Sequence, residues 1–256
     1  MTRDTLAPAQ GMRGLGAYLT SREWSEDAGR IARRMVEARL RWGALLVETP
    51  DGRRVRPAAL ERLASALREH GIEVWVWSFP HPKHARRVGE RLGDAMLAAR
   101  ARGAILDVER APPGEVGEWT AAGARELVAA VLDRMTERHG LAVTSYPIRS
   151  TWRASIPWDE LAVGIGSPQC YRTADTPRLL DRALEEWTEA HGRDVVPLID
   201  SYRGDHERLR SVALRVAGVA GVVDRPRFPG IGVWSYSTTD GAERRVLAEV
   251  AERLGW

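Results

Sequence analysis

Two acidic residues stand two positions apart at the end of an apolar stretch, Ile105-Leu106-Asp107-Val108-Glu109. Side chains alternate along a β-strand, so Asp107 and Glu109 should point to the same side, roughly 7 Å apart. Such a pair suits cleavage of a glycosidic bond, because one acid can protonate the leaving oxygen while the other stays ionised beside the developing positive charge. Asp107 and Glu109 are therefore the predicted catalytic residues. The structural alternative is that Asp107 caps an element or pairs with an arginine and that Glu109 only begins a loop.

Polar and aromatic side chains close several other apolar stretches. Trp234 and Tyr236 alternate with Ser235 and should lie on one side of the last stretch. The other candidates at such ends are Tyr146, Gln169, Tyr171, Asp200, Tyr202 and Trp77. Rings with polar tips can stack on pyranose faces, and the amide and carboxylate can hydrogen-bond hydroxyl or acetamido groups. These eight are the predicted substrate-binding residues, although for Trp77 filling of a barrel interior is the stronger alternative.

The elements that must position these residues alternate along the chain between short apolar strands and amphipathic helices. The predicted strands are Leu15–Thr20, Ala44–Glu48, Glu73–Phe79, Ala104–Glu109, Ala142–Tyr146, Val163–Tyr171, Val195–Tyr202 and Ile231–Ser237. The predicted helices are Glu26–Arg41, Pro57–His70, His84–Arg102, Ala121–His139, Thr176–His191, His206–Val219 and Ala242–Leu254, with only a short turn around Trp158–Leu161 after strand five.

Eight strand–helix units in 256 residues predict an α/β fold, a single (β/α)8 TIM-type barrel whose helix after strand five is degenerate. Its active site should lie at the carboxyl ends of the strands. A doubly wound open sheet is the alternative, but no glycine-rich phosphate loop follows the first strand. No linker divides the chain, so we expect one domain over residues 1–256 with an irregular segment over residues 1–12.

The composition excludes several functions. With 38 basic and 35 acidic residues the net charge is only +3, which does not indicate a nucleic-acid partner. Without a run of about 18 apolar residues no membrane span is expected. Met1–Gln10 lacks the apolar core of a secretory signal, and a lone Cys170 precludes an internal disulfide, so synthesis in the reducing cytoplasm is predicted. His81 and His84 lack a third ligand nearby, so neither a metal nor a cofactor is predicted.

The residues that close strands four and eight carry a family resemblance. Asp107-Val108-Glu109 together with Trp234-Ser235-Tyr236-Ser237 resembles the family 25 glycoside hydrolases, the muramidases of phage endolysins and bacterial autolysins. The resemblance implies cleavage of peptidoglycan, with Glu109 as general acid and Asp107 as a stabilising or substrate-orienting carboxylate. The chain departs from that family at strand one, where Tyr18-Leu19-Thr20 stands in place of an aspartate, and only Asp240 could match its late acid.

Two further hypotheses remain open. Family 18 chitinase-like barrels also close strand four with Asp-x-Glu, and they use the acetamido group of the substrate; their additional acids are absent before Asp107. The non-enzymatic alternative is an inactive barrel that binds cell-wall glycan or serves a structural role. A muramidase synthesised in the cytoplasm would need a phage lysis or secretion apparatus as a partner to reach the wall, where it would be released to act.

Overall fold

The computed structural model describes residues 11–49, 52–110, 118–171, 176–192, 194–201, 204–217, 228–236 and 239–256. In these ranges the strands are β1 (Gly14–Leu19), β2 (Trp42–Glu48), β3 (Glu73–Ser78), β4 (Gly103–Asp107), β5 (Gly140–Ser145), β6 (Ile165–Pro168), β7 (Leu198–Asp200) and β8 (Gly230–Trp234). The α-helices are α1 (Ala28–Glu37), α2 (Pro57–Glu69), α3 (Ala85–Ala98), α4 (Ala121–Leu132), α5 (Trp158–Leu161), α6 (Pro177–His191), α7 (His206–Val216) and α8 (Gly241–Arg253). Three 3-10 helices add Ser21–Ser25, Pro82–His84 and Arg149–Trp152.

The eight strands form one parallel sheet in the order β6-β5-β4-β3-β2-β1-β8-β7. Two parallel bridges, Gly166 to Val195 and Gln169 to Leu198, join its outer strands. The Cys170 amide reinforces this seam by donating to the Leu198 carbonyl at 2.7 Å. The predicted single (β/α)8 barrel is therefore confirmed, including the degenerate connection after strand five, where α5 has four residues.

The strand ends were predicted less well than the strands themselves. β6 and β7 are shorter than the predicted Val163–Tyr171 and Val195–Tyr202, because these neighbours share only isolated bridges at their seam. β4 ends at Asp107, two residues earlier than predicted. Helix α4 ends at Leu132 and not at His139, since Asp133 already caps it.

Tryptophan fills the amino-terminal part of the barrel interior. The Trp42 ring lies over Gly16, where a Cβ would overlap it, and the Trp75 ring lies over Gly103 and Gly140 in the same way. The Trp75 indole N–H donates to Glu73 Oε1 at 2.8 Å, so its one polar atom is satisfied. The Trp42 and Trp75 rings thus fit because nearby strands have glycine, which has no side chain, at the positions facing them. Packing of these rings closes this end of the barrel.

A second apolar layer separates the strands from the helices. It takes the inward residues of each helix, such as Ile31 and Met35 of α1, and the outward residues of each strand. Cys170 lies in this layer, where burial raises the pKa of its thiol to about 12. None of the described helices has the length and apolar character that crossing a membrane requires.

Substitution of Gly16 by Ala should destabilise the fold strongly, because the new methyl group overlaps the Trp42 ring in a filled interior. We expect a loss of about 2–3 kcal/mol in the free energy of unfolding, measured by urea denaturation. The control is Gly241→Ala at the start of α8, where the nearest atom to the new Cβ lies 3.6 Å away. Equal stability of the two variants would contradict this account of the interior.

Candidate active site

Three predicted site residues meet at the carboxyl ends of β4 and β6. The Gln169 amide nitrogen Nε2 donates to Asp107 Oδ1 and to Glu109 Oε1, both at 2.8 Å. Asp107 is 5% exposed and Gln169 is 7% exposed, whereas Glu109 is half-buried. Asp107, Glu109 and Gln169 are called the carboxylate–amide cluster below.

Strand β5 fixes the segment between the two acids. The Val108 amide donates to the Thr144 carbonyl at 2.9 Å, and the Ser145 hydroxyl donates to the Val108 carbonyl. Beyond the acids, the Trp119 indole N–H donates to the Glu109 carbonyl at 2.9 Å. Glu109 is therefore held in place although β4 has already ended.

The shared amide limits the distance between one oxygen of each carboxylate. Each accepting oxygen lies 2.8 Å from the same nitrogen, so at most about 5.6 Å, twice that distance, separates these two oxygens. The strand rise predicted a spacing of roughly 7 Å between the two positions along the chain. The common donor thus directs both side chains to one point.

Burial and repulsion keep a proton on this pair. Burial raises the pKa of Asp107 well above its usual range, and the charge of Glu109 raises it further, while the bond from Gln169 opposes the rise. Burial also raises the pKa of Glu109, again opposed by Gln169. Two acids that cannot both ionise cheaply share one proton at a pH where ordinary carboxyl groups have lost theirs.

Tyr171 and Asp200 lie on the Asp107 side of the cluster. Burial raises the pKa of Tyr171 well above its usual range, and nearby Asp107, Tyr18, Glu109 and Asp200 add to the rise, in that order. Asp200 is the last residue of β7, is half-buried and is in register with Trp234 of β8. Tyr171 therefore lies within electrostatic reach of both acids of the cluster and of Asp200.

Three aromatic rings from different strands pack together at this end of the barrel. Trp234, the last residue of β8, lies 5.2 Å from Trp77 of β3 and 5.7 Å from Tyr18 of β1, measured between ring centroids. Trp77 is buried and donates its indole N–H to the Leu19 carbonyl at 2.9 Å. Trp234 is half-buried, so it is the ring that offers surface. Tyr18, Trp77 and Trp234 are called the aromatic floor.

Tyr18 escaped the sequence analysis, although it points inward at the strand period. Burial raises the pKa of its phenol, the Ser167 and Thr144 hydroxyls oppose that rise, and Asp107 adds to it. The Tyr18 and Thr144 oxygens nevertheless make no hydrogen bond of regular geometry to the described residues. The buried hydroxyl groups of Tyr18, Ser167 and Thr144 therefore lie close to Asp107.

On the Glu109 side the structure brings Tyr146 together with Trp152, a residue that the sequence analysis missed. Their rings stack with centroids 4.2 Å apart and planes inclined by 21°. The Tyr146 hydroxyl accepts from the Arg110 amide at 3.3 Å. Burial raises the pKa of Tyr146, and the charge of Glu109 adds more to the rise than that of Asp107.

One predicted binding residue, Tyr236, does not join this arrangement. β8 ends at Trp234, so the alternation expected for Trp234 and Tyr236 does not continue. Tyr236 packs in the outer apolar layer, where burial raises its pKa and the charges of Arg34 and Arg244 oppose the rise. Tyr202 lies outside the described residues, as does Ser237.

Other carboxylates near the strand ends have structural partners. Glu48 accepts from the Arg91 guanidinium through both oxygens, at 2.9 and 3.0 Å. Asp240 caps α8 through the Ala242 and Glu243 amides. Glu23, buried just after β1, accepts from the Thr20 amide at 2.6 Å and so serves as a cap. Among the described residues no three His, Cys, Asp or Glu side chains gather as a possible metal site.

No model of a known protein family matches the chain, and no curated protein matches its sequence. Solved structures do match. A family 18 chitinase from Chromobacterium violaceum is 13% identical with a TM-score of 0.67, over 98% of this chain and 86% of its own. A variant of an endo-β-N-acetylglucosaminidase from Cordyceps militaris is 10% identical with a TM-score of 0.61, over 96% and 92%. The spore cortex-lytic enzyme SleL of Bacillus megaterium is 10% identical with a TM-score of 0.62, over 95% and 75%. At these identities the similarity establishes the barrel fold.

Replacing Asp107 by Asn should stabilise the protein at neutral pH. A raised pKa means that folded Asp107 keeps a proton that the unfolded chain loses above about pH 4, so this residue lowers stability as the pH rises from there. Asn cannot ionise, and we expect a gain of about 1–2 kcal/mol at pH 7 and a smaller one at pH 4, measured as melting temperature. Exposed Asp181→Asn is the control. A gain that does not depend on pH would contradict the account.

Proposed function

We propose that the protein is a glycoside hydrolase that cleaves a glycan containing N-acetylhexosamine. The observation that carries the proposal is the carboxylate–amide cluster, in which a buried acid and a half-buried acid share one amide donor at the carboxyl mouth of a barrel. The raised pKa of both acids supports it, because a general acid must keep its proton near neutral pH.

Glu109 is the better candidate for the acid and Asp107 for the orienting carboxylate. Glu109 is half-buried and can reach a glycosidic oxygen, whereas Asp107 lies deeper, beside Tyr171 and Tyr18. Glu109 follows the strand that ends at Asp107, and both acids bond one nitrogen, so their accepting oxygens lie on the same side of the cleft. Neither carboxylate is assigned as the nucleophile in this scheme, since an acid and a carboxylate nucleophile flank the anomeric carbon from opposite faces.

A group of the substrate can supply the missing nucleophile. In this scheme the acetamido oxygen attacks the anomeric carbon while the glycosidic bond breaks and Glu109 passes its proton to the departing oxygen. In the free protein the proton that the pair shares is favoured on Asp107. A hydrogen bond donated by the acetamido N–H favours ionised Asp107, so the shared proton then resides on Glu109, and ionised Asp107 stabilises the charge that develops on the acetamido group. Water then attacks the anomeric carbon and displaces the acetamido oxygen, whose bond to that carbon breaks, and the proton that the water loses goes to Glu109.

The remaining predicted residues suit the sugar that is cleaved. Trp234 offers an aromatic face, while Tyr171, Asp200 and Gln169 provide hydrogen-bonding groups close to Asp107. In this scheme Tyr146 lies near Glu109 and away from the sugar that is cleaved. Tyr236 has no place in the scheme, because it packs in the outer layer.

The names of three structural neighbours support the proposal of a glycoside hydrolase. One carries the name chitinase, one endo-β-N-acetylglucosaminidase and one cortex-lytic enzyme. The endo-β-N-acetylglucosaminidase variant replaces an aspartate and a glutamate two positions apart, the spacing of Asp107 and Glu109. The family 25 resemblance remains a hypothesis, while family 18 is represented among the neighbours.

Peptidoglycan is the proposed polymer and chitin the second. The resemblance to muramidases and the cortex-lytic neighbour favour peptidoglycan, and the acetamido chemistry suits both polymers. A protein that acts on the wall after synthesis in the cytoplasm would depend on a lysis or secretion apparatus for its release.

Release of reducing sugar from purified peptidoglycan, with chitin in parallel, tests the proposal. Wild type should be active on one polymer, and Glu109→Gln should lose about 10²–10⁴-fold in kcat, because the proton donor is gone while its shape is kept. The control is exposed Glu118→Gln, which should act like wild type. A wild type that sediments with a polymer but releases nothing would replace the enzyme with a glycan-binding barrel.

The stereochemical outcome tests the role of Asp107. The proposed scheme displaces groups twice at the anomeric carbon, first by the acetamido oxygen and then by water, so it retains the configuration there, whereas an inverting enzyme uses a single displacement by water. Proton NMR of the first product from a β-linked N-acetylglucosamine pentamer should therefore show the β anomer before mutarotation. The α anomer as first product would overturn this scheme of two displacements.

A further inference from the structure

Two aromatic groups stand on opposite sides of the strand that carries the acids. In the sheet β4 lies between β3, which carries Trp77, and β5, after which Tyr146 follows directly. The aromatic floor is thus on one flank of Asp107 and Glu109, and the stacked pair of Tyr146 and Trp152 is on the other. The cleft therefore has two distinct ends.

The stacked pair belongs to the Glu109 end. The Tyr146 hydroxyl accepts from the amide of Arg110, the residue next to Glu109, at 3.3 Å. The charge of Glu109 acts on Tyr146 more strongly than that of Asp107, whereas for Tyr171 the order is reversed. The pair therefore lies nearer to Glu109 than to Asp107.

Both rings of the pair are half-buried and keep accessible surface. Trp152 belongs to the 3-10 helix Arg149–Trp152, in the connection where a full helix is missing. Its ring covers Tyr146 at 4.2 Å and enlarges the aromatic surface beyond what Tyr146 alone could offer. Extended aromatic surface next to carboxylates is suited to the apolar face of a pyranose.

The reaction assigns different sugars to the two ends. The oxygen that accepts the proton of Glu109 joins the cleaved sugar to the leaving sugar, so the two sugars lie on opposite sides of that carboxyl group. If the cleaved sugar occupies the Asp107 end, the leaving sugar must extend past Glu109 toward Tyr146 and Trp152.

We propose that Tyr146 and Trp152 form the binding subsite for the leaving sugar and that Trp152 determines the preference for a substrate that continues beyond the cleaved bond. The inference rests on the proposed function. Trp152 contributes binding energy only when a pyranose fills this subsite, and a substrate without a leaving sugar does not use it.

Two substrates with the same cleaved part separate this role from a structural one. The first is the N-acetylglucosamine pentamer, and the second is N-acetylchitobiosyl fluoride, whose leaving group is a single ion. In Trp152→Ala, kcat/KM for the pentamer should fall about tenfold, the loss of a contact worth about 1.4 kcal/mol, while that for the fluoride stays unchanged. Trp152→Phe should restore most of the loss, since it keeps a ring.

The control is Trp256→Ala, which removes a half-buried tryptophan that lies beside Gly14 at the opposite end of the barrel. It should leave both substrates unaffected. An equal fall of both substrates in Trp152→Ala would show that Trp152 only supports the loop, and no fall in either would remove it from the site. Either result overturns the inference.

A binding measurement tests the subsite for the leaving sugar without requiring that the protein hydrolyse the substrate. In the Glu109→Gln background, calorimetry should show about tenfold weaker binding of the pentamer after Trp152→Ala and unchanged binding of the disaccharide. If wild type hydrolyses neither substrate, the proposed hydrolase activity fails and this comparison still decides whether the subsite exists. Equal affinities of both proteins for the pentamer would overturn it.

Discussion

The interior of an eight-stranded barrel has to be filled by the side chains that its strands point inward, and this chain fills it with tryptophan. Trp42 and Trp75 each span more than one strand, which is possible only because Gly16, Gly103 and Gly140 leave space for the rings. The amino-terminal half of the barrel is thereby closed. Polar side chains on the inner face can then be accommodated only near the carboxyl ends, where the interior opens toward solvent.

The donor that links the two acids is neutral, and this matters for what they can do. A guanidinium between two carboxylates would favour both charged forms and remove the shared proton at neutral pH. The Arg91 guanidinium forms a charged pair with the single carboxylate of Glu48, at 2.9 Å, and this contact is structural. Gln169 holds Asp107 and Glu109 at hydrogen-bonding distance while adding no charge. The Gln169 amide thus sets the positions of the two acids, whereas burial raises their pKa values.

The alternation of side chains along a strand predicted the directions of candidate-site side chains only for residues within a strand or next to its end. Asp107 and Gln169 lie at or next to strand ends, so alternation predicted their direction correctly. It failed for Tyr236, because β8 ends at Trp234 and the next residues follow no repeat. Trp152 could not be predicted, since a 3-10 helix in a degenerate connection carries no periodic pattern. The separation of the acids was also out of reach, because it depends on Gln169, which is 60 residues away in sequence from Glu109.

The carboxyl end of the barrel is not arranged for maximal stability. Asp107 is buried beside a second acid, and the hydroxyl oxygens of Tyr18 and Thr144 are buried and make no hydrogen bond of regular geometry to the described residues. Each such oxygen costs about 1–3 kcal/mol relative to a satisfied one. A loosely packed barrel would relax around these groups and satisfy them. The tryptophan-filled interior below and the apolar layer outside prevent that relaxation, so donors and acceptors stay directed at the position that a ligand would occupy.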